Sequence, residues 1–121
     1  MAVILQPCGN KDARAHYNDT VMFPVPHDSV SSFLNETDND NLKDIYPDGM
    51  LKIWGVTPNN QGKWKKVEAG DITLFSKSGS IFASAVATYK IRNKPLAEKL
   101  WGLDAKGNAW EYIYFIAEIQ A

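Results

Sequence analysis

The pattern of apolar and polar positions changes character near residue 50. Before that point apolar residues recur at helical spacing, and after it they alternate as on the two faces of a strand. The opening run at 2–6 is short, apolar and closed by Pro7 and the Cys8-Gly9-Asn10 turn, which predicts a central strand followed by a break. Asn10 is placed to cap a helix reaching Val21, and Pro24-Val25-Pro26 ends that segment. Asp28 is an N-cap candidate for a second helix, with Val30, Phe33 and Leu34 at i, i+3 and i+4. Thr37 or Asp38 opens a third, with Leu42, Ile45 and Tyr46 on its apolar side, and Pro47-Asp48-Gly49 then turns the chain.

From Leu51 the period becomes two. A strand at 51–56 puts Leu51 and Ile53 on one face and Lys52, Trp54 and Val56 on the other, so Trp54 shares its face with a lysine and is expected to line a cleft more than a core. Residues 57–62 read as a polar loop and 64–67 as a short basic stretch. Ala69-Gly70-Asp71 turns into a strand ending at Lys77, and Ser78-Gly79-Ser80 makes a hairpin into a long strand at 81–91. That strand is small or apolar on both faces, as in a strand covered on both sides or one whose small residues let another backbone approach. Asn93 and Pro95 open a helix at 94–101 that Gly102 stops, and a last strand at 110–119 puts Ile113, Phe115, Ala117 and Ile119 on one face and Trp110, Tyr112, Tyr114 and Glu118 on the other. One strand, helices, then mostly antiparallel strands with one helix inserted predict an α+β fold: a curved or barrel-like sheet flanked by helices.

Length and composition narrow the function. At 121 residues, 45% hydrophobic and 22% charged, the chain fits one domain, residues 1–121, and no apolar run approaches the roughly 20 residues needed to span a bilayer. The first residues lack a basic leader, so the protein is expected to be cytoplasmic, and the chain ends in or just after a strand, as a domain of a longer protein would. Catalysis finds little support: His16 and His27 have no paired carboxylate pattern, Cys8 has no nucleophile signature, and one cysteine with two histidines matches no zinc spacing. The glycines form no phosphate cradle. A binding domain without catalysis, metal or cofactor is the expectation.

Charge and aromatic residues point to the partner. Residues 1–50 carry three bases against eight acids, a balance of −5, while 51–121 carry ten bases against six acids, a balance of +4. All four tryptophans (Trp54, Trp64, Trp101, Trp110) lie in the basic half with Tyr89, Tyr112 and Tyr114, interleaved with Lys63, Lys65, Lys66, Lys77 and Lys90. Bases stack on such rings and lysines hold the phosphate backbone, although large rings also fill the core of a small domain.

The order of short motifs is specific. Ile53-Trp54-Gly55-Val56, then Asn60, then Trp64-Lys65-Lys66-Val67-Glu68-Ala69-Gly70-Asp71-Ile72-Thr73-Leu74-Phe75-Ser76, then 79–86, resembles the EVE and YTH domains of the PUA-like superfamily. Leu100-Trp101-Gly102 and the run from Trp110 to Phe115 are similar to modified-base readers at the front of modification-dependent restriction proteins. The resemblance implies a PUA-like, EVE-like curved sheet or small barrel with flanking helices, and a pocket that takes a flipped modified base into an aromatic cage. By position it implies Trp54 as the first cage wall, Gly55 meeting the base edge, Asn10 as a polar pocket residue and Ser76 bordering the cleft. Trp101, Trp110, Tyr114 and Phe115 are candidates for the second wall, and Lys63, Lys65, Lys66, Lys77 and Lys90 for phosphate contacts. The implied partner is double-stranded DNA carrying 5-substituted cytosine or N6-methyladenine, with a fused or associated restriction nuclease and no membrane. An RNA-binding PUA-like module and a small-ligand binder or enzyme using the same cavity are the alternatives.

Overall fold

Val3–Pro7 alternates exposed and buried side chains and forms β1. The computed structural model describes residues 3–9, 11–104 and 106–120, so the expected cap at Asn10 lies outside the described residues. Lys11–Tyr17 is α1, with Ala13, His16 and Tyr17 turned inward, and Asn18–Met22 continues it as a π-helical turn. Pro26, and not Asp28, precedes the short helix α2 (His27–Val30): its extended backbone delivers the chain into the helix, and Asp28 falls inside the first turn. Ser31–Phe33 is a 3-10 turn, and α3 (Glu36–Ile45) starts slightly earlier than the sequence suggested, because the Asn35 side chain accepts from the Asp38 amide.

Two segments depart further from expectation. Val25–Pro26 (β2) pairs antiparallel with Met50–Leu51 (β3), so the strand predicted at 51–56 divides at Lys52 and only Ile53–Val56 (β4) joins the main sheet. The expected loop and basic stretch after it are a 3-10 turn, Pro58–Asn60, and a helix, α4 (Gln61–Lys66), too short and too polar to show an apolar period. Beyond it β5 (Ile72–Lys77) and β6 (Ser80–Arg92) form the expected hairpin. Its two turn residues, Ser78 and Gly79, both have positive φ, 52° and 79°, as a primed two-residue turn requires. The Asn93 side chain caps α5 (Lys94–Trp101) by accepting from the Leu96 amide, and β7 (Tyr112–Gln120) closes the chain two residues later than expected at its start.

The main sheet runs β1-β5-β6-β7-β4, with β1 parallel to β5 and the other neighbours antiparallel, and it curls into a half-barrel. The helical first half of the chain is the crossover that a parallel β1–β5 pair needs. The pleat sorts side chains into two cores. Trp54, Val56, Phe75, Tyr112, Tyr114 and Ile116 enter the first, with Tyr17 and Ala13 of α1, and Ala83, Ala85 and Ala87 of β6 leave room there for the rings. Leu51, Ile53, Ile91, Ile113 and Phe115 enter the second, beneath Leu42 of α3 and Leu96 of α5. The faces of β7 are those the alternation predicts up to Ala117. At Glu118, φ is +52° and the β6–β7 register shifts, so Ile119 packs on the first core and not beside Phe115. Among the described residues no helix is long and apolar enough to cross a membrane.

Candidate functional site

β1 and β4 are the two ends of the sheet order and do not pair. Between them the half-barrel opens on a cavity of about 280 Å³. One side is Gln6 and Pro7 of β1 with Asp12 and Ala13 of α1; the other is Trp54, Gly55 and Val56 of β4 with Thr57, Asn60 and Lys63 beyond it. Trp110 and Asp104, from the segment before β7, complete the lining. Two hydrogen bonds brace this opening. The buried Gln6 side chain donates from Nε2 to Tyr114 Oη, and Lys63 Nζ donates to the Leu5 carbonyl on the free edge of β1 at 3.0 Å. Burial pushes the Tyr114 phenol up to about 12, so it remains a neutral partner for the amide. A space lined by Trp54 and Trp110 together with the oxygen-bearing side chains of Asp12, Asp104, Asn60 and Gln6 can hold a small group that donates hydrogen bonds.

Trp54 is 2% exposed and meets Trp110 and Phe75 edge to face, with centroids 5.2 and 5.1 Å apart. It is a core side chain whose ring also borders the cavity, which corrects the expectation of a cleft residue. Lys52 falls at the break between β3 and β4, so its partial exposure says nothing about its neighbour's face, and both sides of β4 are covered. Gly55 has a similar outcome. A Cβ there would lie 2.7 Å from the Trp110 carbonyl oxygen and 2.9 Å from the Trp101 ring, so the glycine admits the protein's own tryptophans at close range as well as lining the cavity. Trp101 lies outside the lining. Its indole N–H donates to Thr20 Oγ1 at 3.3 Å, a group the π turn holds against β4, and its ring stacks on His16 at 5.3 Å.

Of the other expected wall residues, Trp110 lines the cavity, Tyr114 sits fully buried behind Gln6, and Phe115 points into the second core on the opposite face of the sheet. Ser76 is the next-to-last residue of β5, where its carbonyl accepts from the Cys8 amide at 2.7 Å, and is not part of the lining.

No protein-family model and no curated protein matches the sequence. Among solved structures, the N-terminal domain of Thermococcus gammatolerans McrB bound to m5C DNA matches with a TM-score of 0.66 at 15% identity, over 98% of this chain and 73% of that one. The fold is PUA-like.

On this PUA-like frame the expected lysines separate. Lys65, Lys66 and Lys77 are exposed. Lys63 reaches the β1 edge, and Lys90 lies 4.7 Å over the Trp64 ring while donating to the carbonyls of Trp64 and Lys65 at 3.1 and 2.9 Å, closing the C-terminal end of α4. Those two amines have internal work. Conversely the structure brings up residues that the half-by-half charge balance passed over. Asp12 and Arg14 sit on α1 in the acidic half, yet Asp12 lines the cavity, and Arg14 with Lys77 is near enough to Cys8 to oppose the burial that pushes its thiol up to about 11. Gln6 and Asp104 also line the cavity without any motif marking them, and Asn60 lines it from a place in the motif order that carries no site role. His16 is buried between Trp101 and Trp110, and burial holds its pKa below the ordinary value against the pull of Asp12, Asp19 and Asp104. Among the described residues no cluster of histidine, cysteine and carboxylates is placed to hold a metal.

Proposed function

We propose that this chain binds double-stranded DNA carrying a modified base, 5-substituted cytosine or N6-methyladenine, and seats that base, turned out of the helix, at the opening of the half-barrel. The cavity is the observation that carries this reading: two tryptophans bound it, oxygens rim it, and it lies in a fold shared with a domain solved on m5C DNA. Its volume of about 280 Å³ is just below the range in which ligand pockets usually begin, about 300 Å³, which suits a single base better than a larger ligand. Asp12 and Asp104 accept from an exocyclic amino group, which cytosine and adenine both carry, and Ala13, Val56 and the Trp110 ring offer apolar surface to a methyl substituent.

Asn10 follows Gly9 and precedes α1, and it is retained as a polar partner of the base. Phosphate contacts fall to Lys65, Lys66 and Lys77 with Lys11 and Arg14 beside the mouth, while Lys63 and Lys90 serve mainly within the protein. Cleavage would belong to a fused or associated nuclease, and this domain would supply only the address. Equilibrium binding to matched duplexes bearing 5-methylcytosine, N6-methyladenine or no modification tests the reading. Tighter binding to one modified duplex, with an affinity that falls steeply as salt rises, is expected. Equal affinity for all three duplexes would overturn it.

A further inference from the structure

Leu103 is a large apolar side chain left 55% exposed at the rim of the cavity, directly before Asp104, which lines it. Scattered exposed leucines are ordinary, so position and rigidity have to carry the case. The segment around it is tied to itself. Asp104 Oδ1 accepts from the amides of Lys106 and Asn108, both at 2.9 Å, the Asp104 amide donates to the Asn108 carbonyl at 2.8 Å, and the Gly107 amide donates to the Asp104 carbonyl at 3.0 Å. On the other side α5 ends at Gly102, whose amide still bonds to Glu98 at 2.9 Å. Leu103 is therefore held between a helix end and a closed turn, and its side chain has no partner in either core.

The remaining exposed large apolar residues are placed differently. Val3 and Leu5 lie on the outer face of β1, which the pleat turns away from Gln6, Ile81 is the second residue of β6, and Met22, Phe23 and Met50 lie in or next to the small β2–β3 pair. Leu5 also adjoins a lining residue, Gln6, but it is held in a strand paired to β5, whereas Leu103 stands on the loop that carries Asp104. A duplex that gives up a base keeps a gap in its stack, and apolar side chains fill such gaps in proteins that kink or unstack DNA.

We propose that Leu103 is the wedge that enters the duplex where the modified base has left it, with exposed Lys106 three residues on beside the neighbouring phosphate. This rests on the base-binding reading above. The wedge acts only where there is a stack to fill, so it favours duplex over single strand.

The test compares wild type, Leu103→Ala and Leu103→Met on a modified duplex and on the same modified strand alone. Leu103→Ala should bind the duplex about tenfold more weakly, the equivalent of about 1.4 kcal/mol, and the single strand as wild type does. Leu103→Met should recover most of the duplex affinity. Because the side chain is exposed, the melting temperature should not move, which separates loss of the wedge from loss of the fold. Unchanged duplex affinity in Leu103→Ala, or an equal loss on both substrates, would overturn the wedge alone. A wild-type chain indifferent to the modification would overturn the wedge together with the reading it rests on.

Discussion

The two faces of one sheet have been built to different standards. The second core is mostly aliphatic, closed by Leu42 of α3 and Leu96 of α5, and its buried phenol, Tyr46, is satisfied by Thr88 and by the Ile116 carbonyl. The first core is crowded with rings and holds the buried polar groups that lack a hydrogen-bond partner among the described residues: His16 Nδ1, Trp54 Nε1 and Thr73 Oγ1. An unpaired buried polar group costs about 1–3 kcal/mol, so one face carries a burden that the other avoids, and it is the face with the cavity. Stability and recognition are divided between the two sides of the same strands.

The strongest way to break that comparison is truncation on each side. Trp54→Ala should cost about 3–5 kcal/mol of stability and also remove discrimination between modified and plain DNA, because the ring is at once core and cavity wall. Leu96→Ala, in the second core, should cost about 2–5 kcal/mol and leave the affinity of the folded fraction unchanged. Denaturant melts and DNA titrations on the same two proteins decide it. Lost discrimination in Leu96→Ala with intact binding by Trp54→Ala would reverse the assignment of faces.

Gly55→Ala is the next largest. The added methyl meets the Trp110 carbonyl at 2.7 Å, a backbone atom that cannot swing aside, so overpacking of about 1–3 kcal/mol is expected along with displacement of Trp110 from the cavity. Weakened binding of modified DNA should accompany the lower melting temperature. A variant as stable and as selective as wild type would show that the close approach is not needed.

A smaller effect of opposite sign sharpens the contrast. Thr73→Val replaces an unpaired buried hydroxyl by a methyl on a strand that favours β-branched residues, so stability should rise by about 1 kcal/mol. A fall in melting temperature would mean that the hydroxyl is satisfied by bound water.

His16 gives the smallest effect. Burial lowers its folded pKa beneath the unfolded value of 6.5, so below that pH the unfolded chain takes up a proton that the folded chain resists. Stability should therefore be level above this value and decline as pH falls through it, and His16→Gln should flatten the decline. Melting temperatures of the two proteins across that window provide the check, and identical profiles would remove His16 as the cause.

How much of this was legible in the sequence depends on what each signal measures. Alternation located the strands and sorted Ile53 from Trp54 and Ile113 from Tyr114, because the pleat has a period of two whatever covers it. It cannot tell a covered face from an open one, which is why it points Trp54 to a cleft. Alternation also failed where the backbone breaks step, at Lys52 and at Glu118. The helix α4 was missed because six residues with one large apolar side chain show no period. The cavity's polar rim could not be read as a unit for a different reason: Gln6, Asp12, Asn60 and Asp104 come from four separate segments, and only the curl of the sheet assembles them. The motif order supplied the fold, Trp54, Gly55 and Trp110, and of the rim only Asn60, without a role.

That curl has a mechanical meaning. The cavity lies between two strands with no ladder across the gap, so its width is set by how tightly the three strands between them bend, as the mouth of a clip is set by its spring. The spring carries register shifts in the β5–β6 and β6–β7 pairs, and at one of them Glu118 holds a left-handed φ of +52° that an L-residue adopts at a cost of about 1–2 kcal/mol. A change at Glu118, at the far end of β7 and outside the cavity lining, would alter the tension of the clip and so the size of what fits in its mouth, without touching the bound group at all.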